Sequence, residues 1–386
     1  MGLSFRTAGE SHGRGLVAIL EGLPKGLPID TAFVDRQLRR RQGGYGRGGR
    51  QRIESDHVEV LTGIYRGRSI DAPLALWVEN RDDKIEELPE PTRPRPGHVD
   101  LVGCQRHGDR DIRACLERAS ARETAARVAA GAVAQLLLRE LGLAVLGHVV
   151  ELGGVCTGQE RGAGLESLSD LERARERVEA SPFGVLPEGW DGRLRDAVDR
   201  VAKQGDSLGG VVEVVAVGMP PGLGSYAQWN ERLDGRLAQA LISIQAFKGV
   251  EIGLGFDSAR QPGSEVHDEI IRSDDGSVRR RSNRAGGIEG GLSTGEPIVL
   301  RAAKKPIATV RRRLASIDLK DGSPAEAGFE RSDVTAVPAA AVIAEAMVAL
   351  ILADAVLTFF AGAHVDLLRA ACEAHRERAA KLWEQG

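Results

Sequence analysis

The segment ERASARETAARVAAGA, at residues 117–132, lies in an alanine-rich run, residues 112–141, that contains no proline and a single glycine, Gly131. Alanine has the strongest helix preference, and small apolar residues on every side allow a helix to pack all round. The run therefore predicts one long central helix. Arg118 and Arg122 are four residues apart, which places both on one face of that helix and predicts an anionic partner for them.

Strand and helix patterns alternate around this run. Strand-like patterns lie at residues 16–20, 57–65, 72–79, 145–152, 211–217, 250–256 and 287–301. Helical patterns lie at residues 31–41, 168–179, 194–203, 231–244 and 338–360, and a charged helix ends the chain. No repeat or proline-rich linker divides these elements, so we expect one intertwined domain of mixed α and β structure over residues 1–386.

Two segments bear on location. Residues 339–360 are apolar enough to suggest a membrane span, but Glu345 and Asp354 would each cost about 2.5–3.5 kcal/mol inside a bilayer. We therefore expect a buried core helix, entered at Pro338, and no membrane contact. Residues 1–15 carry Arg6 and Glu10 where a secretory signal would be apolar, which favours a cytoplasmic location.

The composition argues against a nucleic-acid partner and against a metal site. The 52 Lys and Arg nearly balance the 55 Asp and Glu, so the net charge of −3 provides no basic field for a phosphate backbone. The 8 Phe, 4 Trp and 3 Tyr are few for stacking on bases. The four cysteines show neither a CxxC pair nor zinc-ligand spacing, and we expect them to be reduced thiols.

Residues 9–13 read GESHG, which fits the G-x-S-x-G pattern of a serine hydrolase. In those enzymes a helix follows the serine directly, whereas residues 16–20 are strand-like, so a hydrolase that uses Ser11 is the weaker interpretation. The alternative is a polar turn whose small residues let the backbone pass closely. Such a turn does not by itself account for His12.

Residues 39–52 contain six arginines, five glycines and no acidic residue. A solvated surface normally includes Glu or Asp, so this segment predicts a loop that binds small phosphorylated ligands, or else a disordered one. The alternative function for this segment is RNA binding, which the low net charge disfavours. A GxGxxG pattern at residues 44–49 follows a helix and not a strand, which disfavours a dinucleotide-binding fold.

Two further polar residues, His98 and Asp333, lie in segments that contain proline. In RPGHVD, residues 95–100, His98 lies in a rigid turn beside Asp100, a carboxylate that could orient the imidazole for proton transfer. Asp333 precedes Pro338 by five residues, where an Asp can simply cap the N-terminus of a helix.

Five more segments complete a set: GGVVEV at 209–214, QAFKGVE at 245–251, GGIEGG at 286–291, KPIAT at 305–309 and RSDVTAVPAA at 331–340. Together with the segments above, and in this order, they resemble the chorismate synthase family over nearly the whole chain. The resemblance implies helices sandwiched between antiparallel β-sheets and a homotetramer. It also implies anti-1,4-elimination of phosphate from 5-enolpyruvylshikimate 3-phosphate to give chorismate, the last step of the shikimate pathway, with reduced FMN and no net redox change.

The resemblance also assigns roles to residues. It implies that His12 protonates the departing phosphate, that His98 donates to the reduced flavin, and that Asp333 assists proton removal at the flavin N5, with Ser11 near the same edge. The flavin-binding residues that it implies are Arg118, Ala119, Ser120, Gln245, Ala246, Gly290, Lys305, Pro306, Ile307, Ala308, Thr309 and Arg331. Arg41 and Arg47 match positions associated with the phosphate of NADPH, a possible reductant, and could equally hold the substrate's phosphate and carboxylates.

Overall fold

The structure, a computed structural model, describes residues 2–48, 54–274, 276–329 and 333–383. Its strands are β1 (Ser4–Ala8), β2 (Gly15–Glu21), β3 (Val58–Thr62), β4 (Ile64–Tyr65), β5 (Arg68–Ser69), β6 (Leu74–Glu79), β7 (Ala144–Leu152), β8 (Val155–Cys156), β9 (Gly210–Val217), β10 (Phe247–Ile252), β11 (Ile270–Arg272), β12 (Val278–Arg280), β13 (Ile288–Glu289), β14 (Leu292–Ser293), β15 (Ile298–Lys304), β16 (Ala315–Ile317) and β17 (Pro324–Glu326). Its α-helices are α1 (Thr31–Gln42), α2 (Asp100–His107), α3 (Ile112–Ala119), α4 (Thr124–Glu140), α5 (Leu168–Ala180), α6 (Asp191–Lys203), α7 (Leu233–Ile242), α8 (Gly263–Val266), α9 (Val337–Phe360) and α10 (Val365–Lys381).

Two antiparallel sheets form the outer layers. The first has the strand order β1-β2-β6-β3, and the second has the order β10-β15-β9-β7-β8. In the first sheet Ala8 pairs with Val17, and Gly15 pairs with Glu79, so the turn after β1 lies at the same edge as the end of β6. In the second sheet Lys304, at the end of β15, lies between Gly210 and Phe247. Most of the candidate site residues lie at these two places, the end of the first sheet that carries the turn after β1 and the end of the second sheet that carries Lys304.

The two long apolar helices lie between the sheets. α4 packs against β1, β2 and β6, α9 packs against β7 and β9, and the two helices pack against each other. Gly131 allows their close approach, because a Cβ atom at this position would lie 2.4 Å from the Cβ of Ala346. This layer order confirms the prediction of helices sandwiched between antiparallel β-sheets.

Helix α9 is long and apolar enough to cross a membrane, but 89% of its most apolar window is buried inside the protein. This burial confirms the prediction of a core helix. Its one central carboxylate, Glu345, is fully buried and accepts hydrogen bonds from Arg40 (2.9 and 3.0 Å), Arg175 (2.9 Å) and the Gly147 N–H (3.0 Å). A buried charge is tolerated when its partners neutralise it and satisfy its hydrogen bonds in this way.

The prediction of one helix over residues 112–141 is wrong. α3 ends at Ala119, Ser120 has extended backbone (φ −61°, ψ 141°), and its hydroxyl accepts a hydrogen bond from the N–H of Arg122. A serine that bonds to its own local backbone competes with a continuous helix. A 3₁₀ turn, Ala121–Glu123, then leads into α4. Arg118 and Arg122 consequently do not share a helix face.

Two strand predictions also change in the second sheet. Residues 250–256 were expected as one strand, but β10 runs from Phe247 to Ile252 and a 3₁₀ segment follows at Gly255–Arg260. Residues 287–301 divide into the β13–β14 hairpin and β15, which extends to Lys304. Glycines at positive φ, such as Gly253 (φ 55°) and Gly287 (φ 76°), allow the tight turns that separate these pieces.

Candidate functional site

The turn that carries Ser11 and His12 joins β1 to β2 and is held by Glu117 of α3. The His12 N–H donates to Glu117 Oε2 over 2.8 Å, and His12 Nδ1 lies 3.0 Å from Glu117 Oε1. The Ser11 N–H donates to the Glu117 carbonyl oxygen over 3.0 Å. A carboxylate only accepts, so the ring proton of this contact is on Nδ1. Nε2 of His12 is therefore the ring atom left for a ligand.

Asn80, directly after β6, fixes the same turn from the other side. Its side-chain nitrogen donates to the carbonyl oxygens of Glu10 (3.0 Å), Ser11 (3.3 Å) and Gly13 (2.7 Å). Its side-chain oxygen accepts a hydrogen bond from Nε of the buried Arg122 over 2.8 Å. Because a strand and not a helix follows this turn, it is not the strand-to-helix turn of a serine hydrolase.

Two carboxylates flank the His12 ring, and each is paired with a cation: Glu117 with Arg113, and Asp82 with Lys84. Glu117 has a side chain that is 1% exposed, and Arg113 pairs with it over 3.1 Å. Burial would raise the pKa of Glu117, but hydrogen bonds from His12 and Arg113 outweigh burial and lower it, so this carboxylate is ionised. Asp82 lies on the other side, 3.8 Å from His12 Nε2. His12 thus lies between two carboxylates.

His98 has a carboxylate partner of its own. Its Nδ1 lies 2.5 Å from Oδ1 of Asp100, which also pairs with Arg95 over 2.7 Å. Burial would raise the pKa of Asp100, but the bonds from His98 and Arg95 hold it well below its usual range. The predicted contact between His98 and Asp100 is confirmed, while a catalytic role for His98 stays a prediction.

Residues 305–309 and 245–246 lie next to the His98 turn. Lys305 Nζ donates to the Gly97 carbonyl over 2.5 Å, and Arg95 donates to the Thr309 hydroxyl over 3.1 Å. The Lys305 N–H donates to the Ala246 carbonyl over 2.9 Å. Three of the predicted segments therefore meet at one edge of the second sheet. Pro306, Ile307 and Ala308 lie between Lys305 and Thr309 in the chain, and the Ile307 carbonyl accepts a hydrogen bond from the Ser207 hydroxyl over 2.7 Å.

Glu123 connects this edge to the His12 side. It accepts hydrogen bonds from Gln245 (2.8 Å) and from the hydroxyl of Thr7 (3.3 Å), while Arg118 donates to the Thr7 carbonyl (2.9 Å). Ala119 and Ser120 lie between Arg118 and this carboxylate along the chain. An unbroken series of contacts thus joins the two histidine turns, and we call the residues of these turns and contacts the two-histidine cluster.

Arg47 and Asp333 form an ion pair of 2.8 Å, and the Gly48 N–H donates to the same carboxylate over 2.5 Å. The interpretation of Asp333 as a helix cap is wrong, because α9 has Ala336 as its N-cap residue and no side-chain cap bond. Arg41 differs from Arg47. It is buried, it donates to the Thr124 hydroxyl over 2.9 Å, and burial lowers its pKa to about 9.

One predicted flavin contact, Gly290, is not brought to this cluster. Gly290 lies in the β13–β14 hairpin, near the Ile298 end of β15, whereas Lys305 follows the opposite end of that strand. At about 3.3 Å per residue the two ends of β15 are about 20 Å apart. Arg331 lies outside the described residues.

Sequence reasoning missed Glu117, Asn80 and Glu123, the three polar residues that hold the cluster together. Glu117 and Glu123 are buried acids in an alanine-rich run, which was the available signal, because buried acids need partners. Asn80 gave no comparable signal, since a single Asn after a strand is typical of an ordinary turn.

Comparison with known proteins gives a consistent result. The chorismate synthase family model matches residues 3–357. A chorismate synthase of Desulforudis audaxviator (strain MP104C) is 53% identical over 373 residues, which are 93% of this chain and 94% of that protein. The chain belongs to the chorismate synthase family.

Other comparisons agree with this family. A chorismate synthase of Listeria welshimeri is 48% identical over 388 residues and covers 97% of this chain and 98% of its own. A crystal structure of a chorismate synthase has a TM-score of 0.81 and 40% identity, and the match covers 99% of both chains. As a chorismate synthase family member the chain is a lyase. It acts at the final step of the shikimate pathway, in aromatic amino-acid biosynthesis, on a small phosphorylated substrate.

Proposed function

We propose that this chain catalyses anti-1,4-elimination of phosphate from 5-enolpyruvylshikimate 3-phosphate to give chorismate, with reduced FMN as a cofactor that undergoes no net oxidation. The observation that carries this proposal is the two-histidine cluster, in which His12 and His98 are each held by a carboxylate, and in which contacts through Lys305, Gln245–Ala246, Glu123 and Thr7 link the segments that carry them. Two oriented imidazoles beside several cations suit the departure of an anionic leaving group.

His12 is the proposed acid toward the leaving phosphate. Glu117 holds Nδ1, so a proton on Nε2 is the one that can be transferred to a phosphate oxygen. Protonation lowers the negative charge on the departing phosphate, and fixed cations lower it further. Because Glu117 and Asn80 together fix the turn, the imidazole does not have to be reoriented at the moment of reaction.

The residues of the cluster fit a flavin phosphate and a polar ring edge. Among the described residues, Arg47 Nε and Gln245 Oε1 are buried atoms without a hydrogen-bond partner, one a donor and the other an acceptor. We propose that Arg118, Ala119, Ser120, Gln245, Ala246, the residues 305–309 and Arg331 hold the flavin. When bound, the reduced flavin supplies electron density that eases the elimination.

The remaining roles concern proton and charge placement. We propose that His98, held by Asp100, donates a proton toward the flavin, and that Asp333 receives one, with Arg47 and Gly48 fixing its carboxylate. All three guanidinium nitrogens of Arg41 donate to groups of the chain, whereas Arg47 Nε has no acceptor among the described residues, so Arg47 is the better candidate for a substrate or NADPH phosphate. Ser11, buried in the same turn, is proposed to lie beside the flavin edge.

Further properties are proposed from the family: a cytoplasmic homotetramer without nucleic-acid or membrane partners. A single domain over residues 1–386 is also proposed. It is supported by one buried apolar cluster that contains side chains of both large sheets and of α4 and α9. Gly290, distant from Lys305 within the chain, stays a proposed flavin contact.

The test is an anaerobic assay with reduced FMN and the enolpyruvyl ester, in which chorismate absorbance and released phosphate are measured together. We expect equal amounts of both products, and none with oxidised FMN. His12→Ala should slow turnover by about 100-fold or more, since general acid catalysis contributes about 10²–10⁴-fold. His107→Ala, at an exposed histidine of α2, is the matched control and should remain active. Absence of chorismate from the wild-type chain would refute the proposal.

A further inference from the structure

Lys304 is a buried cation that the family resemblance does not assign. It is the last residue of β15 and lies between β9 and β10, where its cross-strand partners are Gly210 and Phe247. Only 8% of the residue is exposed. A buried ammonium is expensive unless an anion compensates its charge, so its surroundings need an explanation.

The described residues supply little compensation for this charge. Within the described ranges, the one hydrogen bond of Lys304 Nζ is a long contact of 3.4 Å to the Lys305 carbonyl. Among the described residues, the charges that act on it are those of Arg47, Asp333 and Lys305. Backbone bonds place these segments beside Lys304: the Val334 N–H donates to the Gly46 carbonyl over 2.8 Å, and the Leu208 N–H, two residues before Gly210, donates to the Val334 carbonyl over 2.8 Å. Asp333 already pairs with Arg47 over 2.8 Å and accepts from Gly48 over 2.5 Å. Within the described parts of the chain, two largely buried cations thus lie near one carboxylate.

The side chains near Lys304 also include a hydrogen-bond donor that has no acceptor among the described residues. Arg47 Nε is buried and has no hydrogen-bond acceptor in the described parts of the chain. Burial, with a smaller contribution from Arg47, lowers the pKa of Lys304 to about 8, and the opposing charge of Asp333 does not offset them. An anion with several acceptor oxygens would satisfy both side chains at once.

We propose that Lys304 and Arg47 together form a binding subsite for a phosphate monoester dianion. Three observations support it: the excess of buried positive charge, the unused Arg47 Nε donor, and the position beside the Lys305 segment of the two-histidine cluster. The inference deepens the proposed function, on which it rests only for the identity of the ligand. The phosphate belongs either to the flavin or to the substrate.

The experiment compares Lys304→Met with the wild-type chain by equilibrium binding. Oxidised FMN and riboflavin, which lacks the phosphate, are titrated by flavin fluorescence, and the enolpyruvyl ester by calorimetry. Loss of a hydrogen bond to a charged group predicts about 10- to 100-fold weaker binding of one phosphorylated ligand, with riboflavin affinity unchanged. Weaker FMN binding identifies the flavin phosphate as the ligand, and weaker ester binding identifies the substrate phosphate.

Two controls make the result decisive. Lys203→Met removes an exposed lysine at the end of α6 and should leave every affinity unchanged. Lys304→Arg keeps the charge and should retain most of the affinity. If Lys304→Met does not fold, Lys304→Gln is the neutral variant that is compared with Lys304→Arg. The inference is overturned if FMN and the ester both bind the neutral variant within twofold of wild type, or if riboflavin weakens as much as FMN. These binding results do not depend on turnover, so chorismate formation by the wild-type chain tests the proposed function separately.

Discussion

Replacement of Glu117 by glutamine is the sharpest test of how His12 is oriented. The wild-type carboxylate accepts from the His12 N–H (2.8 Å), His12 Nδ1 (3.0 Å) and Arg113 (3.1 Å), and its side chain is 1% exposed. Glutamine keeps the size, but it has one acceptor oxygen and no charge. A glutamine oxygen in the Oε2 position can keep both contacts to His12, since Nδ1 also lies 3.1 Å from Oε2, but loss of the negative charge weakens both of them and leaves Arg113 without its Oε1 acceptor.

The magnitude follows from these contacts. A hydrogen bond to a charged group contributes about 1.5–3 kcal/mol and one to a neutral group about 0.5–1.5 kcal/mol, so weakening both bonds that orient the acid should lower kcat/KM by about 10- to 150-fold. The flavin should still bind, since the described side-chain contacts of Glu117 are to the His12 turn and Arg113. We expect the Kd for oxidised FMN to change by less than about twofold in the same variant, because only the orientation of His12 is altered.

The assay is anaerobic steady-state turnover with reduced FMN, together with FMN titration and thermal unfolding. Glu176→Gln, at an exposed position of α5, is the matched control and should leave kcat/KM unchanged. The reasoning is refuted if Glu117→Gln turns over at the wild-type rate, or if its activity falls only in proportion to a loss of folded protein.

Three further predictions concern buried polar residues. Burial would raise the pKa of Glu345, but Arg175 and Arg40 lower it to about 2, so its contribution of about 3 kcal/mol is present above about pH 4.5 and is lost as the pH falls toward 2. In urea denaturation, the loss of stability between these pH values should be about 3 kcal/mol smaller in Glu345→Gln than in the wild type, and an equal loss would contradict this reasoning. Burial lowers the pKa of Lys304 from 10.5 to about 8, so between these pH values the unfolded chain binds more protons than the folded chain. The free energy of unfolding of the ligand-free wild type should therefore rise with pH in this range. Lys304→Met should lack this rise and be about 3 kcal/mol more stable at neutral pH, and equal stability of the two proteins would contradict this prediction. Asn80→Ala removes all three bonds to the carbonyls of the His12 turn and should lower kcat/KM by about 10-fold or more, whereas wild-type kinetics would show that Glu117 alone orients His12.

Periodic patterns predicted most elements because burial of one face imposes a repeat on the sequence. The two-sided apolar run of α9 and the strands β7 and β9 were found in this way, near their observed bounds. The break at Ser120 was missed, because its cause is a local hydroxyl bond and a tertiary contact: the Glu117 carbonyl accepts from Ser11. A helix pattern carries no information about such a competitor.

The arginine segment shows a second limit. Its composition predicted one anion-binding loop, but the described arginines at the end of α1 and after it pair with different residues of the chain. Arg40 pairs with Glu345, Arg41 with Asp56 and Arg47 with Asp333, residues that are distant in sequence in two of the three cases. Which arginines serve the fold and which face a ligand is decided by these tertiary contacts. The sequence shows the excess of charge, and the structure shows where it is left uncompensated.

The most direct test of the central claim is a crystal structure of the chain with oxidised FMN and 5-enolpyruvylshikimate 3-phosphate. We predict both ligands in the two-histidine cluster, with His12 Nε2 within hydrogen-bond distance of the substrate and His98 beside the flavin. Ligands bound elsewhere on the chain, or histidines that contact neither of them, would contradict the proposed function.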